Sequence, residues 1–325
     1  MTEATITGAS GIVGSHLAST LVEQGRTVKA IVRSDAAASI VAELGADPVV
    51  VDLFDHDGLR DALWGSPILF HVAGVNQACA KDPSSMDHVN IGGTRSVVEA
   101  AADAGVGRVV YTSSAAVIGE PQGTVGHEGT AHTGEFLSPY ARSKYLAENA
   151  AFETAASTGV DLVAVNPSSV QGPGRSTGSA RILIHALSKP KPWLVDTKVS
   201  IVDIRDCSAG HIAAAEHGRT GERYLLSGAT ISVKDAVELA QGIAGSVIEP
   251  RWISLSTLTT WGGMAAGVAH LLKPNSDICP ALIRTLSHGH RFDASKSERD
   301  LGLRYTPISN TFQRTIDWFS EEGLI

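Results

Sequence analysis

An alternation in the first half of this 325-residue chain constrains its fold more than any other feature: short β-branched runs separated by longer stretches with helical spacing. Strands are expected at Ala4 to Thr7, Val28 to Val32, Pro48 to Asp52, Ile68 to Ala73, Arg108 to Thr112 and Val160 to Asn166. From Gly11 to Gln24, Val13, Leu17 and Leu21 recur every four residues and share one face of a helix. Such strand–helix–strand order gives parallel neighbours joined by right-handed crossovers, hence an α/β fold with a doubly wound parallel sheet. After Pro167 the pattern breaks into PSSVQGPGRSTGS and shorter, less regular elements. The expected division is a dinucleotide-binding unit over 1–170 and a smaller substrate-binding region over 171–325. Arg223 to Ser227 (within 221–228) returns one strand to the main sheet, so the two regions interleave.

With 34 acidic and 26 basic residues the formal charge is −8, which excludes an electrostatic nucleic-acid binder. Charged residues make up only 18%, against roughly 25% in an average domain. Cys79, Cys207 and Cys279 are far apart, and are expected to be reduced and buried in a cytoplasmic protein; the opening MTEATITGAS is not expected to be a signal peptide. No charge occurs from Trp252 to Leu272, yet Ser254, Ser256, Thr257, Thr259, Thr260 and three glycines make the run too polar for a membrane anchor. A buried helix is expected there, a substrate-lining or membrane-touching helix being the alternative.

Directly after the first strand comes Thr7-Gly8-Ala9-Ser10-Gly11-Ile12-Val13-Gly14. Glycines at these three positions suit a tight turn, close approach of a pyrophosphate and packing of helix on strand, with the amide groups of Gly11, Ile12, Val13 and Gly14 at the helix N-terminus facing the phosphates. This points to a Rossmann-type site for NAD or NADP. At the second strand's end stands Val32-Arg33-Ser34, where an acid would favour the ribose hydroxyl of NAD; Arg33 favours the 2′-phosphate of NADP, the preferred cofactor here, with NAD possible through Asp35. Asp52 is placed to accept from the adenine amino group and Leu53 to pack on its ring, while Val72, Ala73 and Gly74 leave room for a ribose.

Tyr140 and Lys144 are spaced i, i+4 on one helix face. A phenol ordinarily titrates near ~10, and a neighbouring ammonium lowers that value toward proton exchange at neutral pH. Ser114, in Tyr111-Thr112-Ser113-Ser114-Ala115 at the fifth strand's end, is suited to donate to a substrate carbonyl, with Ser113 as fallback.

Taken in order, TGASGIVG, Asp52-Leu53, HVAG, Asn90-Ile91-Gly92-Gly93-Thr94, YTSSA, YARSK and NPSSVQGPG resemble the extended short-chain dehydrogenase/reductase family over essentially the whole chain. The similarity is to its dihydroflavonol-reductase-like, 3β-hydroxysteroid-dehydrogenase-like and hopanoid-associated sugar-epimerase-like branches. The resemblance implies Ser114 as carbonyl-orienting residue, Tyr140 as general acid/base and Lys144 as ribose ligand and modulator of the tyrosine. It further implies a structural or relay role for Asn90, cofactor contacts from Thr112, Pro167, Ser169 and Val170, and a homodimer formed by the helices at 90–104 and 139–156. Two departures stand out: Gln171 replaces a tyrosine often near the substrate, and no lysine lies between Lys29 and Lys81 to assist Arg33.

The expected activity is hydride transfer between NAD(P)(H) and the ketone or secondary alcohol of a small, fairly apolar substrate. The alternatives are a nucleotide-sugar epimerase or dehydratase with tightly bound NAD, using Arg175, Arg181, Lys189, Lys191, Arg284 or Arg291 on a diphosphate, and a cofactor-sensing protein without turnover. Those six cations are otherwise surface charges. No metal site is expected: His288 and His290 flank Gly289 without a third ligand nearby in sequence, and His127, His132 and Glu135 read as a mobile loop beside the substrate cleft.

Overall fold

The computed structural model describes residues 2–80, 82–263 and 279–325. Its main sheet has seven parallel strands, β1 (Ala4–Thr7), β2 (Val28–Val32), β3 (Asp47–Val50), β4 (Ile68–His71), β5 (Arg108–Thr112), β6 (Leu162–Pro167) and β10 (Arg223–Leu226). They lie in the order β3-β2-β1-β4-β5-β6-β10. Because side chains alternate across a strand, each strand feeds two cores. Ile6, Phe70, Val110, Val163 and Val165 meet α1 (Ile12–Glu23) and α8 (Ile204–His217) on one face. Leu69, Val109, Tyr111 and Ala164 meet α3 (His56–Leu63), α5 (Thr94–Asp103) and α6 (Pro139–Thr158) on the other. Sheet faces covered on both sides explain why the strands read as continuous apolar runs.

Past β6 the chain leaves the main sheet. It forms β7 (Ser169–Gln171), α7 (Ala180–Leu187), β8 (Trp193–Val195), β9 (Lys198–Asp203) and α8, and returns as β10. Then β11 (Ala229–Ser232) joins β9 and β7 in a second sheet, and β12 (Arg251–Ile253) pairs with β8. Leu183 of α7, Ala236 of α9 (Val233–Ala244), and Phe312, Ile316 and Phe319 of the helix Ile308–Glu321 cover that second sheet.

Three sequence expectations need correction. The third strand ends at Val50, because the Asp52 carboxylate accepts the Phe54 N–H at 2.9 Å and turns the chain out of the ladder. Residues 252–263 are not a buried helix: Trp252 lies in β12, and Trp261 is 65% exposed on a short helical segment. The remainder of that uncharged run, from 264 onward, lies outside the described residues, among which no helix is long and apolar enough to cross a membrane. Nor are the cysteines all reduced. Cys79, in the segment after β4, and Cys279, at the N-cap of the helix Pro280–His288, form a disulfide with Cα atoms 5.7 Å apart, whereas Cys207 is free and buried. A separation of 200 residues hides such a pairing from sequence reading.

Candidate active site

At the β1–α1 turn the three glycines do different things. Gly8 has φ +75°, and a Cβ on it would lie 2.6 Å from the Ala73 backbone, so the ends of β1 and β4 meet without side chains between them. A Cβ on Gly14 would fall 2.2 Å from the Gly8 carbonyl oxygen, which makes this glycine necessary for helix-to-turn packing. Gly11 differs: it has extended dihedrals and a Cβ there would meet only the Gly8 oxygen, at 3.4 Å. The protein itself does not require Gly11, so its bareness suits a bound group approaching the backbone. It caps α1 with no side-chain acceptor and no acid in the first turn, leaving the helix N-terminus to an anion. Ile12 and Val13 pack partly into the core behind it.

Around this turn stand the other predicted contacts. Arg33 is exposed at the end of β2, before Ser34 caps the helix Asp35–Glu43. Asp52 is exposed and Leu53 packs beside Gly93. Val72 and Ala73 donate to the Thr7 carbonyl and hydroxyl at 3.1 and 3.3 Å. Asn90 is buried in a π-helical turn, His88–Gly93, a widening often found at functional sites. Its amide spans Val75 N, Val75 O and Ser143 Oγ at 2.7, 2.9 and 2.9 Å, fixing the segment after Gly74 to α6.

Ser138 caps α6 and Pro139 occupies its first turn, so Tyr140 sits at the helix start and Lys144 one turn further along. The Ser114 hydroxyl neighbours the Tyr140 phenol; burial raises the phenol's pKa, while Ser114 and the Arg175 charge oppose that rise. The Ser113 hydroxyl is buried and lacks a hydrogen-bond partner. The Lys144 ammonium donates to the Tyr111 phenol at 2.9 Å and the Thr112 carbonyl at 2.7 Å. Burial brings its pKa down to about 8, with Glu148 opposing. Further polar groups lie inward of Tyr111. Its phenol neighbours Thr94, whose hydroxyl lies 3.1 Å from His71 Nε2, and His71 Nδ1 lies 2.7 Å from Thr7 Oγ1.

Residues 4–227 match the model of the NAD dependent epimerase/dehydratase family. The chain belongs to that family. A putative dihydroflavonol 4-reductase of Synechocystis is 32% identical across 98% of this chain and 95% of its own length. Cinnamoyl-CoA reductase 1 of Petunia hybrida is 30% identical across 98% and 92%. The crystal structure of gox2253 superposes with a TM-score of 0.86 at 29% identity, covering all of both chains. With reductases among its relatives, this epimerase/dehydratase family member is an NAD(P)-dependent oxidoreductase of the extended short-chain dehydrogenase/reductase type.

Other residues of this oxidoreductase depart from the sequence reading. Arg175 is half-buried and not a fully solvated charge: burial lowers its pKa, and its Nε is buried without a hydrogen-bond partner. The Tyr140 phenol opposes that lowering. Gln171 is buried and donates to Ser169 and Ser179 at 3.2 and 3.0 Å, so it braces β7 against the start of α7. Ser169 is likewise engaged, 2.6 Å from Ser179, Val170 lies in the core, and Pro167 ends β6. Thr112 bonds His211 Nε2 at 2.9 Å; the opposite nitrogen donates to the Cys207 carbonyl at 2.7 Å, which fixes Nε2 as acceptor.

The segment before α6 is tethered. Gly126 bridges to Phe292, the Glu128 carboxylate accepts from Leu225 N at 2.8 Å, and His132 packs against Phe136 and Tyr145. His127, His132 and Glu135 therefore form no cluster. Tyr111 and Glu148 were missed as candidate site residues, and Arg175 was named only as a possible diphosphate contact, not as a neighbour of Tyr140. Only Tyr111 carried a signal, since alternation along β5 turns it toward α6 and hence toward Lys144.

Proposed function

We propose that this chain transfers hydride between NAD(P)(H) and a ketone or secondary alcohol of a small substrate, by a Ser114–Tyr140–Lys144 mechanism. The observation that carries this reading is the placing of the Ser114 hydroxyl beside the Tyr140 phenol, with Lys144 one turn away on the same helix. Ser114 holds the reacting oxygen and stabilises charge on it. Tyr140 gives that oxygen a proton in reduction and removes it in oxidation. Lys144, charged below about pH 8, favours tyrosinate and is placed by Tyr111 and the Thr112 carbonyl. The dinucleotide supplies or accepts the hydride at its nicotinamide ring. Gly8, Gly11 and Gly14 hold its pyrophosphate, Arg33 selects NADP by its 2′-phosphate, and Asp52, Leu53, Val72, Ala73, Gly74 and Asn90 border the adenosine and ribose. Residues 1–170 then carry the cofactor and 171–325 chiefly the substrate.

The Tyr140→Phe protein tests the mechanism. It is expected to fold, bind NADPH as the wild type does and lose at least about 100-fold in kcat with a ketone. Folded, cofactor-binding protein with full activity overturns the assignment. The reductase reading predicts protein that isolates without NAD and turns over free NADPH; tightly retained NAD⁺ and a melting shift with UDP-sugars support epimerisation instead.

A further inference from the structure

The fold brings together three side chains from remote parts of the sequence, at a place the hydride-transfer mechanism does not use. Glu120 follows the short turn after Ser114, and its side chain is only 2% exposed. His288 ends the helix Pro280–His288 and His290 lies two residues on. His290 Nδ1 is 2.7 Å and His288 Nε2 is 3.4 Å from one oxygen, Oε1 of Glu120, and all three donor atoms lie within 4.8 Å of one another.

The turn that pairs the imidazoles is fixed independently of them. Gly289 has φ +71°, and a Cβ on it would lie 2.6 Å from Thr197 Oγ1, so no other residue fits between the two histidines without a shift. Ser200 Oγ donates to the His290 carbonyl at 3.3 Å and accepts the Phe292 N–H at 3.1 Å, while Gln122 donates to the Ser287 carbonyl at 2.8 Å. Both rings are thus held by the backbone on either side.

We propose that Glu120, His288 and His290 form a binding site for a divalent transition metal of the zinc class. Ligand bonds of about 2.0–2.2 Å in tetrahedral array place donor atoms about 3.3–3.6 Å apart; the 3.4 Å between His288 and Glu120 fits that spacing, whereas the 2.7 Å between His290 and Glu120 must open for a metal to enter. Two imidazoles and one carboxylate make an N₂O set that suits zinc and cobalt over calcium or magnesium, and leave a fourth position for water. The metal would pin the segment after Ser114 to the helix that begins at the Cys279 disulfide.

Zinc titration of the chelator-treated full-length protein, by calorimetry and by melting temperature, tests the site. One equivalent is expected to bind and raise the melting temperature, and cobalt in its place to give the visible bands of a four-coordinate ion. Glu120→Gln and His290→Gln are each expected to weaken binding at least about tenfold, while His56→Asn, at an exposed histidine, leaves it unchanged. No saturable equivalent, or one unaffected by both ligand variants, overturns the proposal and leaves a hydrogen-bonded triad only. Should the variants fail to fold, diethyl pyrocarbonate labelling of the wild type decides: zinc protects His288 and His290 if they are ligands, and equal labelling with and without zinc overturns the site.

Discussion

At the scale of single residues, the candidate active site is a contest between burial and charge. Burial pushes the Tyr140 phenol up, and the Ser114 hydroxyl and Arg175 guanidinium pull it back. Arg175→Met removes a cation that favours tyrosinate, so Tyr140 ionises at higher pH than in the wild type. The limb of the kcat/KM profile for alcohol oxidation that reports this ionisation is expected to move upward. A profile that stays in place shows that Arg175 does not reach the reacting phenol. Tyr140, Lys144 and Ser114 were visible in the sequence because each belongs to a short local pattern. The bearing of Arg175 on Tyr140 was not, since a lone arginine in a Gly/Pro/Ser-rich stretch reads as a solvated charge or, at most, a diphosphate contact until the fold turns it inward. Glu120 beside His288 and His290 was hidden for the same reason: the partners are about 170 residues apart.

Among the elements, the β1–α1 turn separates what the fold needs from what a ligand needs. Gly11→Ala fits the extended dihedrals and meets nothing nearer than 3.4 Å, so its stability is expected to stay within about 0.5 kcal/mol of wild type. Its dinucleotide affinity is expected to fall at least about tenfold, because the new methyl occupies the pyrophosphate's approach. Gly14→Ala, with a Cβ 2.2 Å from a backbone oxygen, should lose about 1–3 kcal/mol as well as affinity. Denaturant titration and calorimetry with NADPH distinguish the two; equal affinity in Gly11→Ala and wild type contradicts the cradle. The main strands were legible because parallel strands covered on both faces are apolar throughout, and β10 was legible in the same way. The smaller sheets were not: β7, β8 and β12 are only three residues long, too short for any period to register. The aromatic, uncharged run from Trp252 suggested burial, but Trp252 and Trp261 are held on the surface by a strand pair and a short helical turn.

For the molecule as a whole, two buried histidines contribute to the response to acid. His71 and His211 are held neutral by burial, at about 3 and about 4, against 6.5 for an exposed imidazole. Between those values the unfolded chain binds protons that the folded chain refuses, so their contribution is complete above pH 6.5 and declines as pH falls toward 4. Urea stabilities measured across that interval should drop with acid, and less steeply in His211→Gln; an unchanged slope contradicts the assignment. The Cys79–Cys279 bond spans 200 residues, and its reduction, or Cys79→Ser, is expected to cost about 2–4 kcal/mol. Thiol titration of the denatured, unreduced protein should find one free cysteine, and a melting temperature indifferent to reductant counts against the link. The late return of β10 also shapes how the chain is made. Until residue 223 leaves the ribosome, β6 has no neighbour on its outer side, and at about 5–20 residues per second the 56 residues after Pro167 take about 3–11 s to synthesise. Throughout that time a nascent chain presents an apolar, unpaired strand edge, the kind of surface a ribosome-associated chaperone must shield from other nascent chains.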